Sequence, residues 1–337
     1  MKAVVLVGGE GTRMRPLTET IPKPLIPFMN RPFLDHLLDH RGGHGVEEVI
    51  CSSPYLEEEF HSFLMSRSGG PAVRWINEAA PLGTSGAVAG ALDHVDGTFL
   101  VLNGDVLTDL DLGALISFHR ERGAVATIAL TPVEDARPFG LVDTDADDRV
   151  LAFREKPAQA VPGMINAGTY VLEPSALARV PQGVMVSIER ETFPDLIARG
   201  EPVFGYRSDA YWRDLGTPEA YLAAHRDALE GRIGGRTYPR PLLGQGVRVE
   251  DGAEVEPDTV IGAGASVGAG ARVSGSVLHA RAWVGPGALV ERTVAGPDSA
   301  IGQEARVRDA VLAAGARVAP AALLEGGGVR PGAVAGA

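Results

Sequence analysis

A glycine-rich segment near the N-terminus has the composition of a phosphate-binding turn. Gly8, Gly9 and Gly11 directly follow the apolar run 3–7, and Thr12 comes next. The exposed backbone N–H groups of such a turn can hold phosphate oxygens at the carboxyl end of a parallel strand. A dinucleotide fingerprint would need a third glycine where Met14 stands, and no Gly-Lys-Ser/Thr of a Walker A loop follows. The segment therefore predicts phosphate binding of another class.

Charged residues extend this prediction. Arg13 and Lys23 are ten residues apart around a proline-containing loop, which can bring both cations to one phosphate cluster. Asp105 stands shortly after the apolar run 99–102, at a position where open α/β sheets hold their ligands. Asp214 precedes Thr217-Pro218, which has the pattern of a helix N-cap and first helical residue.

The elements that must position these residues follow two different patterns. From residue 1 to about residue 230, apolar strand-like runs alternate with helix-like stretches, which predicts an α/β domain with a Rossmann-like, mostly parallel sheet wrapped by helices. Residues 231–245 combine glycine, arginine and proline without periodicity, so we predict a linker there.

The second pattern is a six-residue repeat of aliphatic residues separated by small ones. Triplets such as Ile261/Val267/Val273 and Leu278/Val284/Val290 recur with a displacement of 17 residues, one triplet for each three-sided coil. The repeat is similar to left-handed parallel β-helices of the hexapeptide kind, and we predict this domain over residues 246–325. Residues 326–337, rich in glycine, are predicted to be a flexible tail.

The string GGEGTRMRPLTETIPKPLIP at residues 8–27 resembles the signature of the sugar-phosphate nucleotidyltransferase family. The resemblance implies that the glycine loop wraps an NTP triphosphate, that Arg13 stabilises charge during transfer and that Lys23 holds the phosphates. Asp105 and Asp214 match the ligands of a Mg²⁺ ion, which carboxylates and substrate phosphates typically hold together. The implied nucleotide-binding residues are Leu6, Gly8, Gly9, Gly11, Thr12, Arg13, Glu78, Pro81, Gly83 and Thr84.

Two further motifs match the part of the family signature that binds a sugar 1-phosphate. They are Glu155-Lys156-Pro157 and Asn166-Ala167-Gly168, with Gly140 supplying backbone groups. The implied reaction is in-line attack of the sugar phosphate on the α-phosphorus of an NTP, with release of pyrophosphate. A phosphate monoester with a second pKa of about 6 is mostly dianionic at neutral pH, so no general base is needed.

Composition limits the partners. The net charge of −12 argues against a nucleic-acid or anionic-membrane surface, and the single Cys51 excludes an internal disulfide or a cysteine-based metal site. The N-terminal apolar run is too short for a signal peptide, so we predict a cytoplasmic protein. An appended β-helix commonly serves oligomerisation or regulation, and we expect a homo-oligomer.

The sequence constrains the identity of the substrates less than it constrains the class of reaction. Within the family, the GEGTRMRPLT and PLGTSGA segments with a β-helix are most similar to mannose-1-phosphate guanylyltransferases, which favours GTP and mannose 1-phosphate. Met14 and Phe139 depart from the usual pattern, so thymidylyl, uridylyl or adenylyl transfer to glucose 1-phosphate, or guanylyl transfer to a heptose or cyclitol 1-phosphate, stays open. Two other classes are a non-catalytic subunit that senses NDP-sugars and a hexapeptide acyltransferase using His279.

Overall fold

The computed structural model describes residues 1–54 and 57–336, and the chain divides into two compact units. Unit 1 comprises Met1–Gly9 and His36–Trp212, and unit 2 comprises Glu10–Asp35 and the chain from Arg213 onward. These units divide the chain differently from the predicted domains, because the segment that contains Arg13 and Lys23 belongs to the same unit as the repeats. None of the helices among the described residues has the length and apolar character needed to cross a membrane.

The helices and strands have the following bounds. The α-helices of the described residues are α1 (Phe33–Gly42), α2 (Glu57–Ser66), α3 (Gly83–Gly90), α4 (Leu112–Glu121), α5 (Phe193–Ala198) and α6 (Pro218–Leu229). The strands up to residue 214 are β1 (Lys2–Leu6), β2 (Pro27–Phe28), β3 (Arg31–Pro32), β4 (Glu48–Ser53), β5 (Ala72–Asn77), β6 (Phe99–Asn103), β7 (Val106–Thr108), β8 (Ala126–Val133), β9 (Gly140–Thr144), β10 (Val150–Glu155), β11 (Gly163–Leu172), β12 (Val203–Arg207) and β13 (Trp212–Asp214). The strands of the repeat region are β14 (Leu242–Leu243), β15 (Arg248–Val249), β16 (Glu254–Val255), β17 (Val260–Ile261), β18 (Ser266–Val267), β19 (Arg272–Ser274), β20 (Val277–Leu278), β21 (Trp283–Val284), β22 (Leu289–Glu291), β23 (Val294–Ala295), β24 (Ala300–Ile301), β25 (Arg306–Arg308), β26 (Val311–Leu312), β27 (Arg317–Val318), β28 (Leu323–Glu325), β29 (Gly328–Val329) and β30 (Val334–Ala335).

Unit 1 is built on a mixed sheet with the order β10-β9-β11-β6-β1-β4-β5, to which β8 and β12 are added beside β11. Strand β1 pairs in parallel with β4 and β6, whereas β11 pairs antiparallel with β6, β8 and β9. The α/β, Rossmann-like prediction is confirmed, with the antiparallel strands grouped around β11. The register places Leu6 beside both Ser52 and Asn103, so the carboxyl ends of three strands meet at one edge.

The local sequence explains these elements. The central residues of β1, Ala3 to Val5, are fully buried, as expected for a strand covered on both faces, where every position reads as apolar. Helix α4 begins after Asp111, whose carboxylate accepts a hydrogen bond from the backbone N–H of Ala114 at 3.1 Å.

Unit 2 contains three parallel sheets that stack one strand from each successive coil. Their orders are β14-β17-β20-β23-β26-β29, β15-β18-β21-β24-β27-β30 and β16-β19-β22-β25-β28. Inside the first sheet, Ile261, Leu278, Ala295 and Leu312 form a column with at most 1% exposure. This arrangement confirms the β-helix prediction, because each coil supplies one aliphatic residue per side to a shared core.

The β-helix extends beyond both predicted ends. It begins at Leu242. The first coil is 18 residues from the second, not 17, since Leu243 pairs with Ile261. Strands β29 and β30 lie inside residues 326–337, the predicted flexible tail. Val329 and Ala335 pair with Leu312 and Val318, which continues the 17-residue register through Ala335. The repeat therefore does not stop at residue 325, because these two aliphatic side chains still fill the inner column.

The outer face of the first sheet differs from the other two faces. Its outward valines are at most 7% exposed, namely Val260, Val277, Val294 and Val311. On the other sheets, outward Trp283 and Leu323 are 43% and 66% exposed. The segment Glu10–Asp35, which we call the signature loop, is anchored to this buried face at both ends.

One anchor is Asn30, whose Nδ2 donates to the carbonyl oxygen of Ile261 in the β17 coil at 2.9 Å. The other is Pro16, which lies so close to Gly328 in the last coil that a Cβ at Gly328 would be 2.6 Å from the proline Cδ. The signature loop thus spans the buried face from the first coils to the last.

The core column yields a stability prediction. Leu312→Ala removes a fully buried side chain and should lower the free energy of unfolding by about 2–5 kcal/mol. Leu323→Ala makes the same change at an outward position that is 66% exposed, and should cost no more than about 0.5 kcal/mol. Urea unfolding followed by circular dichroism would measure both, and equal losses would contradict the assignment of Leu312 to the inner column.

Candidate active site

Unit 2 brings together Arg13, Lys23 and Asp214. The Arg13 guanidinium Nη2 lies 3.6 Å from Oδ2 of Asp214, and Nζ of Lys23 lies 4.0 Å from Oδ1 of the same carboxylate. The Lys23 side chain is only 10% exposed, whereas that of Arg13 is 61% exposed. One carboxylate therefore partly offsets the repulsion between two cations that could hold phosphate groups.

Glycines allow this close arrangement. A Cβ at Gly216 would lie 2.5 Å from both Arg13 Nη2 and Asp214 Oδ1, so any larger residue would displace one of them. Gly11 has a φ of +62°, and its Cβ position lies 2.8 Å from the Thr18 methyl and 3.2 Å from Lys23 Cβ. The Thr18 hydroxyl donates to the Gly11 carbonyl at 2.9 Å. The glycine turn, with Thr12 next to Gly11, is thereby folded back against Lys23.

Unit 1 places other predicted nucleotide-binding residues at the edge where β1, β4 and β6 end. Gly8 lies two residues after Leu6, the last residue of β1. A Cβ at Gly8 would lie 2.8 Å from Pro54 Cδ. Among the described residues, nothing lies within 4 Å of a Cβ at Gly9, so this position is open. Glu78 is buried, and its carboxylate accepts from Ser52 Oγ at 2.7 Å and from the Leu82 N–H at 3.2 Å.

Glu78 thus holds the start of the Pro81–Thr84 segment, whose other contacts are to residues 186–189. The Thr84 hydroxyl donates to Glu189 Oε2 at 2.8 Å and accepts from the Ile188 N–H at 2.7 Å. Gly83 has a φ of +67°, and a Cβ there would lie 2.7 Å from the Val186 carbonyl oxygen. Glu189 is a candidate site residue that the sequence motifs do not reveal, since it lies in a short helical turn, Ile188–Thr192, outside all of them.

The predicted sugar-binding residues also lie in unit 1. Gly140 pairs with Glu155 across β9 and β10, and a Cβ at Gly140 would lie 3.0 Å from Oε2 of Glu155. Lys156 adopts a φ of 49° and donates its backbone N–H to the Phe139 carbonyl at 2.9 Å. The Lys156 side chain is 60% exposed, with Nζ 3.8 Å from Glu155 Oε1. The two strands therefore hold an exposed ammonium beside a half-buried carboxylate.

Asn166 is oriented by its own strand. Its Oδ1 accepts from the Gly168 N–H at 2.9 Å, and its Nδ2 donates to the Tyr170 hydroxyl at 2.8 Å. An amide group has a second lone pair and a second N–H, so each side of Asn166 keeps one hydrogen-bonding capacity. This fixed orientation suits directional binding of a hydroxyl group.

Burial and nearby carboxylates shift the pKa values of two residues in this region. Burial first, and then the Glu189 carboxylate, raise the pKa of Glu155. Burial likewise raises the pKa of Tyr170 well above its ordinary value, and Glu189, Glu155 and Asp105 act in the same direction. Three carboxylates thus act on Tyr170, while the nearby cations Lys156 and Arg190 lower the pKa of Glu155.

The donor types suit a hard divalent cation. In the described part of the chain, no group of three or more His, Cys, Asp or Glu side chains could hold a metal by itself. Asp105 lies in unit 1 and Asp214 in unit 2. The amide Oδ1 of Asn103, two residues before Asp105, is buried and has no hydrogen-bond partner among the described residues. Such sparse oxygen donors fit Mg²⁺, which retains waters and takes phosphate oxygens as ligands.

His279 is not placed for acyl transfer. Its side chain is 2% exposed, Nε2 lies 3.0 Å from the Tyr221 hydroxyl, and burial lowers the pKa of His279 to about 4. A catalytic base must reach its substrate, and this ring does not reach the surface.

Comparison with known proteins gives two family matches that follow one another along the chain. Residues 2–231 match the family described as nucleotidyl transferase, and residues 238–333 match the GMPPB C-terminal domain. The chain is 42% identical to the mannose-1-phosphate guanylyltransferase of Mycobacterium tuberculosis, over 86% of this chain and 83% of that protein. It is 33% identical to the UTP--glucose-1-phosphate uridylyltransferase of Synechocystis, over 86% of this chain and 85% of the relative.

The chain is also similar to solved structures. HddC from Yersinia pseudotuberculosis superimposes with a TM-score of 0.60 at 30% identity, covering 66% of this chain and 97% of HddC. The complex of HddC with GMP-PN gives a TM-score of 0.59 with the same identity and coverage.

The carboxylate cluster yields a pH prediction. Glu189→Gln removes a negative charge that raises the pKa of Glu155, so this pKa should fall, while glutamine can still accept hydrogen bonds from Thr84 and Ser187. Titration of the ¹³C-labelled Glu155 carboxyl by NMR would measure the change. Glu191→Gln, two positions away, is the matched control, and a Glu155 pKa that falls equally in both variants would refute the specific coupling to Glu189.

Proposed function

The chain belongs to the nucleotidyl transferase family, and from this premise we propose that it transfers a guanylyl group from GTP to mannose 1-phosphate, yielding GDP-mannose and pyrophosphate. The pair of cations at Asp214 is the observation that carries the proposal, since nucleotidyl transfer needs positive charge around a triphosphate. The choice of substrates is supported by the relative named mannose-1-phosphate guanylyltransferase at 42% identity and by the rice protein named probable mannose-1-phosphate guanylyltransferase 3 at 37% identity.

In the proposed reaction, a phosphate oxygen of mannose 1-phosphate forms a bond to the α-phosphorus of GTP. The bond from that phosphorus to the bridging oxygen breaks, and pyrophosphate leaves with the electron pair. The nucleophile is already dianionic at neutral pH, so the chain needs no residue to remove a proton. Its task is to position two anions that repel each other and to neutralise the charge that develops on the leaving group.

We assign this task to Arg13 and Lys23 in unit 2. The guanidinium of Arg13 is exposed and can bind phosphate oxygens through two N–H groups, whereas the enclosed Lys23 acts as a fixed point charge. Gly8, Gly9 and Gly11 would add backbone N–H groups. In unit 1, we assign guanine binding to the backbone of Pro81–Thr84, which Glu78 and Glu189 hold in place.

The sugar phosphate is assigned to unit 1. Lys156 would pair with its phosphate, while Glu155, Asn166 and the Gly140 backbone would bind ring hydroxyls. Asp105 and Asp214 would hold Mg²⁺, which supplies charge neutralisation to the phosphates when it is bound. These roles are consistent with the exposed Lys156 ammonium and with the spare hydrogen-bonding capacity of Asn166.

A second candidate is uridylyl transfer to glucose 1-phosphate. It is favoured by the 33% identity to the Synechocystis enzyme of that name, which spans as much of this chain as the closer guanylyltransferase match does. Base and sugar specificity depend on a few hydrogen bonds, which a shared fold does not determine.

The substrate pair can be tested by pyrophosphate release in Mg²⁺ buffer, with GTP, UTP, dTTP, ATP and CTP each combined with mannose, glucose, galactose and heptose 1-phosphates. GTP with mannose 1-phosphate should exceed every other pair by at least about 100-fold in kcat/KM. Asp105→Asn should abolish that activity. A preference for UTP with glucose 1-phosphate would replace the proposal with the second candidate, and silence across all pairs would favour a non-catalytic, NDP-sugar-sensing protein.

The role of Lys23 can be tested separately. Lys23→Gln removes a charge that we place on the triphosphate, and kcat should fall by about 10²–10³-fold. Lys2→Gln is the matched control, because Lys2 stands at the opposite end of β1 and pairs with Asp96 and Glu48. Steady-state kinetics with saturating GTP would measure both variants. Activity of Lys23→Gln within twofold of the Lys2→Gln control would remove Lys23 from the mechanism.

A further inference from the structure

We propose that His279 and Tyr221 are positioning residues for Lys23, because a buried hydrogen-bond relay runs from the β-helix through Tyr221 to the hairpin that follows Lys23. The catalytic role of Lys23 rests on the proposed function, whereas the relay is a feature of unit 2 that can be tested by itself. The β-helix would then serve the reaction directly, by holding the loop that contains the cations.

The relay begins at His279, immediately after β20. Its Nε2 lies 3.0 Å from the Tyr221 hydroxyl, and that hydroxyl donates its own proton to the carbonyl oxygen of Pro27. A tyrosine hydroxyl has a single proton, so His279 must be the donor in the first bond and Nε2 must carry the hydrogen. The Nδ1 atom is then a buried acceptor, and it has no partner among the described residues.

A second connection holds the same hairpin from α6. Nε2 of His225 accepts the backbone N–H of Met29 at 3.2 Å, while Nδ1 of His225 donates to the Tyr221 carbonyl at 2.9 Å. The rings also pack edge to face, with centroid distances of 4.7 Å for Phe28–His225 and 4.4 Å for Tyr221–His225. The tyrosine, the two histidines and the hairpin residues Phe28 and Met29 are all at most 3% exposed.

The hairpin formed by β2 and β3 requires such support. Met29 and Asn30 have φ values of 48° and 64°, a left-handed conformation that is unfavourable for a residue with a methionine side chain. Pairing between Pro27 and Pro32 and between Phe28 and Arg31 is too short to be stable alone. The contacts from α6 and from the β-helix therefore hold this turn in place.

The hairpin is directly connected to Lys23. The Lys23 carbonyl accepts the N–H of Ile26 at 3.2 Å, in a single 3₁₀ turn, and Pro27 is the next residue. Tyr221 lies in the first turn of α6, where its N–H donates to the Thr217 carbonyl, three residues after Asp214. Tyr221 thus contacts both the segment after Lys23 and the helix after Asp214. The Lys23 ammonium and the Asp214 carboxylate themselves lie 4.0 Å apart.

Hydrogen exchange of the full-length protein tests the relay without reference to the reaction. Tyr221→Phe removes both hydrogen bonds and leaves the part-buried Pro27 carbonyl without its tyrosine donor, so amides within residues 23–31 should exchange about tenfold faster. His279→Phe should act in the same direction, and His279→Gln, which retains a donor, should restore protection. Tyr238→Phe makes the same change elsewhere in unit 2 and should leave these amides unaffected.

Kinetics then test positioning. Tyr221→Phe should lower kcat about tenfold with an unchanged KM for mannose 1-phosphate, because the residues assigned to that substrate lie in unit 1. The double variant with His279→Phe should lose little more than Tyr221→Phe alone, as expected for two members of one relay. Leu312→Ala, which weakens the β-helix core away from the hairpin, should leave kcat unchanged below its melting temperature.

Three results would overturn the proposal: unchanged exchange in Tyr221→Phe, faster exchange with normal kcat, or an equal loss of kcat in Leu312→Ala. If the wild-type protein releases no pyrophosphate with any substrate pair, the proposed function fails. The exchange measurement still decides in that case whether the relay holds the hairpin.

Discussion

The buried outer face of one β-helix sheet is the constraint on which the rest of unit 2 depends. Four stacked valines, from Val260 to Val311, point outward and are nevertheless removed from solvent. Full burial of an aliphatic side chain is worth about 1.5–3 kcal/mol, so this face strongly favours a covered state. The signature loop is rich in proline and has little regular structure of its own. Contacts with the β-helix at Ile261 and Gly328 help to fix its conformation, together with the contacts from α6 to the hairpin.

The attachment of the signature loop to the β-helix allows two cations, Arg13 and Lys23, to lie close together. Two cations close together repel, and a flexible loop would relieve the repulsion by moving them apart. Here Asp214 offsets part of it, and the turn at Gly11 is packed against Thr18 and Lys23. In the proposed reaction, a loop held in this way would present Arg13 and Lys23 to the phosphates with little reorganisation.

The sequence was sufficient to predict elements whose pattern is local or repeated. The 17-residue register predicted the β-helix coils, and the same register at Val329 and Ala335 could have shown that the last residues continue it; their glycine-rich composition suggested a tail instead. Glu189, Tyr221 and the burial of His279 could not be predicted. Each depends on contacts with residues 58 to 194 positions away, such as His279 with Tyr221, Thr84 with Glu189 and Tyr221 with Pro27.

The chemical nature of the relay suits its position near paired charges. An ionised group in the same place would have to be desolvated, and it would alter the balance among Arg13, Lys23 and Asp214. Burial instead lowers the pKa of His279 to about 4, so the imidazole stays neutral and keeps its Nε2 proton at any pH well above that value. The neutral relay from His279 to Pro27 thus fixes the hairpin without adding a charge to those of Arg13, Lys23 and Asp214. None of the hydrogen bonds from His279 to Pro27 requires a charged partner, so this relay needs no ionised group to hold the hairpin.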